Sequence, residues 1–417
     1  MDANREKEKK LGTLTLSGLL VGSILGSGII LLPPMAYELL GEKAIYAWLV
    51  ILLLGIAFGW IFAKISLLAP NNEGVSAIVG NHLGKSYQEL SANFLMTAVY
   101  FGPVAVYETA SDFISGMLDH SIINRDFISL LLPLFCISIL LMGIKSLGRI
   151  TLILSSLTAL ILIVSSIYLL VSQASIVIPS GLPPINHFGA TLLLLFWSII
   201  GWEVVGNYVE EVANPKRTIM RAVSISLIAV TLIYLLSTFA LQSYLSQSYM
   251  DKGNTITMNL LLIPLFGDKA YIVLGIIASG LCLCTVLMIL GGVTRQMSVR
   301  AESGRLPSIL MQRERERSPK KALLALSFIH YVLLVLILYD IITTKWLVEI
   351  ANTFFICNAL LGLIAGLKCL PGYIIKGLII ILIISLGILL FYSHILGWLA
   401  FIAVTVITLW NNARRKY

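Results

Sequence analysis

Apolar runs of about 20 residues follow one another along this 417-residue chain from residue 13 almost to its end. Two of them read AIYAWLVILLLGIAFGWIFAKISLLA (44–69) and ITLILSSLTALILIVSSIYLLV (150–171). Runs of that length match the roughly 30 Å hydrocarbon core of a bilayer. A chain that is 58% apolar and only 12% charged has too little polar surface for a water-soluble fold of this size. The longest polar stretch, about 299–321, leaves no room for a sizeable soluble domain. The reading is an all-α integral membrane protein. The polar start MDANREKEKK passes straight into an apolar run without a small-residue cleavage site, unlike a removed signal peptide. The five cysteines lie within or at the ends of apolar runs without CxxC spacing, and they read as small core residues, not as a disulfide or metal framework.

Hydropathy and turn signals predict about 12 transmembrane helices: 13–37, 44–69, 88–117, 126–144, 150–172, 188–209, 220–244, 270–298, 322–340, 346–367, 372–391 and 393–410. NNEG (71–74), PSGLPP (179–184), NP (214–215) and RERERSPKK (313–321) punctuate them. Assigning Lys and Arg to alternate sides puts 23 on the side of the termini and 5 on the other, with Lys64 inside a span. By the positive-inside rule both termini are expected in the cytoplasm of a cell-membrane protein. The net charge of +8 is thereby explained without nucleic acid.

Two spans collect helix breakers. GSILGSGIILLPP (22–34) carries Gly22, Gly26, Gly28 and a Pro-Pro pair, and FWSIIGWEVVGNYVEE (196–211) carries Gly201, Gly206 and Asn207. Glycine costs a helix about 1 kcal/mol and proline about 3. Within a bilayer, freed backbone groups are tolerated only where they line a protein cavity. Small residues also serve close helix packing, so one such stretch alone is ambiguous. Paired breaks five spans apart point to a transporter binding site between inverted repeats. The expected organisation is a cytoplasmic tail (1–12), a first five-helix repeat (13–172), a second (188–368), two extra helices (372–410) and a second cytoplasmic tail (411–417).

These two segments together resemble the amino acid–polyamine–organocation (APC) superfamily. APNNEGVSAIVGNHLG (69–84), EEVANPKRTIMRAV (210–223) and RAESGRLP (300–307) resemble its loop signatures, with Glu73 standing where a glycine is usual. The resemblance covers residues 13 to about 410 and looks most like the bacterial branch of neutral amino-acid (methionine and branched-chain) exporters. It implies a LeuT-type 5+5 inverted repeat with broken helices 1 and 6. It also implies that the backbone and hydroxyl at Ile24, Ser27 and Gly28 hold a substrate carboxylate. Carbonyls near Trp197 and Ile200 would hold the ammonium group, with Gly26 as the flexible point and Gly201 at the second break. An amino acid is a zwitterion, and a half-helix N-terminus facing freed carbonyls suits both of its charges.

Trp197 reads as a lid over the site, or alternatively as a packing or interfacial tryptophan. Glu203 sits mid-span, where a charge costs at least about 3 kcal/mol. The resemblance implies that it helps couple movement of the sixth helix to its neighbours; alternatively it is a neutral acid bonded to the backbone break. Asn93, Thr97, Tyr100, Glu108 and Ser111 fall close to one helical stripe of the third span. Tyr100 is a candidate pocket wall. Glu108 is a candidate site for H+ as the coupling ion, against a reading as an acid paired near the outer mouth. Ser279, Thr285, Met288, Asn352 and Thr353 are further candidates for the lining.

The chain reads as a secondary transporter of small, neutral amino acids, neither an enzyme nor a cofactor protein. No nucleophile or metal constellation is visible, and no GxxxxGK[ST] phosphate loop for ATP. The rival reading is an amino-acid-sensing membrane receptor on the same scaffold.

Overall fold

The computed structural model describes residues 10–69, 71–117, 124–172, 179–247, 256–312 and 318–414. The charged run at 313–317 and most of the N-terminal tail therefore lie outside the described residues. The described chain is all helical, with one isolated bridge and no strand. Ten of its helical stretches are long and apolar enough to cross a membrane. The chain is a multi-pass membrane protein.

In order the helices are α1 (Thr13–Leu25), α2 (Gly28–Leu40), α3 (Ala44–Ser66), α4 (Val75–Leu83), α5 (Lys85–Met117), α6 (Arg125–Leu141) and α7 (Ile144–Ser172). Then come α8 (Ile185–Leu195), α9 (Pro215–Gln247), α10 (Asn259–Phe266), α11 (Ala270–Glu302), α12 (Lys320–Leu338), α13 (Thr344–Cys369), α14 (Tyr373–Phe391) and α15 (Ile395–Arg414). Two of these, α4 and α10, are short helices in connections that hydropathy reads as loops. Helix boundaries elsewhere follow local chemistry. Asn124 caps α6 by accepting from Asp126 N (3.0 Å), and Thr343 caps α13 by accepting from Trp346 N (3.4 Å). Pro215 opens α9, the position where its missing N–H costs nothing.

Burial sorts the helices into inner and outer ones. In α5 83% of the apolar window is buried, against 22% in α14 and 11% in α15. Helix α1 is seated among α7, α9 and α11, and α5 lies against α11 and α13. The outer faces of α14 and α15 carry exposed Ile, Leu, Val and Trp side chains, which suit lipid.

Both spans rich in helix breakers are interrupted. Helix α1 stops at Leu25, Gly26 takes φ +43°, and α2 restarts at Gly28. Helix α8 ends at Leu195, a short 3₁₀ turn follows, Ile200 is extended, and Gly201 takes φ +113°. Residues Trp202–Glu211 then run on as a tight 3₁₀ stretch. Positive φ at both points is where glycine is free of the Cβ penalty that other residues meet. The chain ties the two interrupted segments together at one end. Leu11 N donates to Glu211 O (2.8 Å) and Ala213 N donates to Leu11 O (3.1 Å).

Candidate functional site

The two breaks meet. A Cβ on Gly201 would lie 3.0 Å from Ile24 Cδ1. Beside them is a small cavity of about 20 Å³, room for little more than one water molecule. Ser23, Ile24, Leu25, Gly26 and Gly28 line it from the first break, and Trp197 and Ile200 from the second. Gly102, Pro103 and Val106 of α5 form a third wall, and Thr285, Val286 and Ile289 of α11 with Phe355 of α13 complete it. None of these residues carries a charge, so a charged group inside would be met only by hydroxyls and backbone dipoles.

Hydroxyls pin the break from α11. Thr285 Oγ1 donates to Ser23 O (2.9 Å), and Ser23 Oγ reaches Cys284 O (2.9 Å). A Cβ on Gly26 would sit 2.4 Å from Thr285 Oγ1, so close approach and positive φ both require glycine there. Tyr234 of α9 answers the carbonyls freed at the end of α1. Its hydroxyl donates towards Leu25 O (3.3 Å) and Ile24 O (3.5 Å), while its ring stacks on Trp48 at 4.8 Å. Ser27 heads α2 without bonding any of the following N–H groups through its side chain. The first turn of α2 thus presents N–H groups and the positive end of the helix dipole beside the cavity.

Of the sequence candidates, Ile24, Gly26, Gly28, Trp197, Ile200 and Thr285 share this cavity; Ser27, Tyr100 and Gly201 adjoin the break or α5 without lining it. Tyr100 gives way to Gly102, Pro103 and Val106 because the α5 wall is apolar, and such residues look the same in sequence as an ordinary packing face. Ser279 and Thr353 spend their hydroxyls on carbonyls of their own helices, Gly275 O and Glu349 O. Met288 contributes a carbonyl that accepts from Tyr208 Oη (2.6 Å).

Glu203 is 1% exposed, and its carboxylate accepts from Gly201 N (3.1 Å). It therefore satisfies a backbone donor that the second break frees. Glu108 is buried at the other end of α5, where Arg125 Nη2 reaches it at 2.8 Å. Arg125 also engages Asp112. The partner is thus an arginine at the head of α6, and Glu108 does not line the cavity.

The three loop signatures converge at the end of the bundle where Leu11 pairs with Glu211. Asn72 accepts from Glu210 N at its side chain (2.9 Å) and from Asn207 Nδ2 at its carbonyl (3.0 Å). Glu73 is gripped by Arg305 through both oxygens (2.6 and 2.9 Å) and accepts from Gln88 Nε2 (2.9 Å). Arg300, 1% exposed, binds Glu89 (2.6 Å) and Asn93 (2.9 Å), and Arg295 binds Glu211 (2.9 Å). The charge at Glu73, unusual for its motif, thus has a fork-shaped partner of its own.

A model of the amino acid permease family matches residues 11–415, and the chain belongs to that family, within the APC superfamily. Its relatives include the L-methionine/branched-chain amino acid exporter YjeH of Escherichia coli K12, 24% identical over 225 residues, 53% of each chain. The uncharacterized amino acid permease YecA of Bacillus subtilis 168 is 20% identical over 306 residues, 72% of this chain and 71% of YecA. The putrescine transporter PotE of E. coli K12 is 24% identical over 232 residues, 53% of this chain and 52% of PotE. The chain thus spans about half the length of YjeH and of PotE in these matches.

Proposed function

We propose that this chain is a secondary transporter of small neutral amino acids, working by alternating access around the cavity at the two helix breaks. The observation that carries the proposal is the cavity itself: two interrupted helices supply freed backbone groups and no lining side chain is charged. A substrate carboxylate is met at the first turn of α2, beside Ser27 and Gly28. Its ammonium group is met by carbonyls around Trp197 and Ile200. The apolar wall of Val106, Ile289 and Phe355 takes the side chain, and Trp197 covers it. A diamine such as putrescine, which PotE is named for, would want an acid in the lining, and none is there.

The proposal includes twelve spans in a 5+5 inverted repeat. Three features support the count. Ten stretches qualify by length and hydropathy, Thr13–Ser66 is folded back at residues 41–43, and the apolar α6 has 17 residues. The repeats are 13–172 and 188–368, and 372–410 adds two helices. Both termini are cytoplasmic in the cell membrane, on the strength of the 23-to-5 split of basic residues. Single cysteines at Ser180 and Lys320, both exposed, test this. A membrane-impermeant maleimide added to intact cells should label position 180 and not position 320; the reverse pattern overturns the span assignment.

H+ is the proposed coupling ion, and Glu108 its carrier through exchange of its proton and its contact with Arg125. Glu108→Gln in proteoliposomes should retain exchange but lose accumulation driven by a pH gradient. Wild type ignoring the gradient, or the variant following it, removes Glu108 from that role and leaves Glu203 to be tested. Against the receptor reading, labelled leucine or methionine should cross the liposome membrane with saturable kinetics. Saturable binding without flux would favour the receptor.

A further inference from the structure

A groove of about 340 Å³ runs between the start of α1 and the start of α7. Lys10, Lys145 and Arg149 line it, together with Leu14 and Thr15. Among the described residues none of the three cations has an ion-pair or hydrogen-bond partner, and no carboxylate lines the groove. Glu210, Glu211 and Glu302 line an adjoining vestibule that Lys10 and Lys145 also border, and there Glu211 is already held by Arg295. Lys145 and Arg149 stand four residues apart on one face of α7, an arrangement that repels unless an anion lies between them.

The same face continues down the helix as an exposed apolar stripe. Ile153 (66% exposed), Leu157, Leu160, Val164 and Tyr168 follow at helical spacing from Arg149. Leu14 of α1, 67% exposed, flanks the stripe across the groove. Three cations without an ion-pair partner among the described residues, continuous with an exposed apolar strip, complement the shape and charge of a phospholipid with an anionic head. Other exposed cations at the same face, Lys216, Arg217 and Arg221 on α9, do not line this groove.

We propose that the groove between α1 and α7 is a site for one anionic phospholipid, its phosphate held by Lys10, Lys145 and Arg149 and its acyl chains laid along Ile153 and Leu157. The lipid would tie the half-helix that leads into the first break to its neighbour α7. This inference rests on the membrane placement of the chain and not on what the cavity carries.

The test is native mass spectrometry of the purified full chain titrated with phosphatidylglycerol or phosphatidylcholine. Each basic residue facing an anionic lipid contributes about fivefold in binding. Lys145→Gln with Arg149→Gln should therefore weaken the tightest phosphatidylglycerol adduct roughly 25-fold, with phosphatidylcholine adducts unchanged. The charge-preserving pair Lys145→Arg with Arg149→Lys should restore it, and Lys216→Gln with Arg217→Gln should leave it as in wild type. The proposal fails if the first variant binds phosphatidylglycerol as tightly as wild type, or loses both lipids alike. It fails equally if the swapped pair does not restore binding, if the α9 variant loses the same adduct, or if millimolar inorganic phosphate displaces the lipid, which would mark a soluble-anion site.

Discussion

Gly28→Val is expected to reduce substrate binding by at least 100-fold, on the order of 3 kcal/mol, while the chain still inserts and folds. A Cβ at residue 28 would lie 2.7 Å from Tyr234 Oη and 3.8 Å from Trp197 Cδ1. Tyr234 has no room to retreat, because it is fully buried and stacked on Trp48. The added side chain therefore displaces the first turn of α2 from Tyr234 and from the cavity. From the sequence alone the expected harm is loss of space for a carboxylate; the structure adds the tyrosine as the atom that is struck. Ser27→Ala, by contrast, should cost about 1 kcal/mol, the scale of one hydrogen bond. Equilibrium binding to purified protein measures both. Gly28→Ala combined with Tyr234→Phe should recover much of the affinity lost in Gly28→Ala, since the contacting oxygen is removed. Normal binding by Gly28→Val would mean that the substrate does not sit at this break.

Arg300→Met is expected to lower stability by about 3 kcal/mol, the low end for stripping one partner from a buried ion pair. The low end applies because Glu89 keeps Arg305 at 3.5 Å. The melting temperature in detergent should fall by roughly 3–4 °C. Adding Glu89→Gln should return part of the loss, because the charge left with only the longer contact to Arg305 is then gone. A melting temperature within a degree of wild type would show that the Arg300–Glu89 contact contributes nothing to holding α11 against α5.

Much of the architecture was legible because a bilayer imposes one rule on every span: its backbone must be satisfied internally. Length and hydropathy then mark the crossings, and the glycines at 26 and 201 mark the breaks. The short helices α4 and α10 were not legible, since neither has the length that hydropathy detects. Of the cavity lining, Gly26 was legible because positive φ leaves a trace in residue type, whereas Ile24, Gly28, Trp197 and Ile200 were reached through the family resemblance. Val106, Ile289 and Phe355 leave no such trace; an apolar cavity wall and an apolar packing face use the same residues. Tyr234 and Arg125 act on groups more than a dozen residues away, and spacing within one helix does not report such partners. The loop signature around Arg300 and Arg305 drew attention to the segment, but which acid each arginine would meet depended on how α5 and α11 pack.

The central claim is that an uncharged cavity at two helix breaks carries a zwitterion with an apolar side chain across the membrane. Counterflow of labelled leucine in proteoliposomes, with competitors added outside, tests it most directly. The account predicts saturable counterflow that methionine, isoleucine and valine suppress, that lysine, glutamate and putrescine at equal concentration do not, and that Gly28→Val abolishes. Counterflow suppressed as strongly by putrescine or lysine, or surviving intact in Gly28→Val, would contradict it.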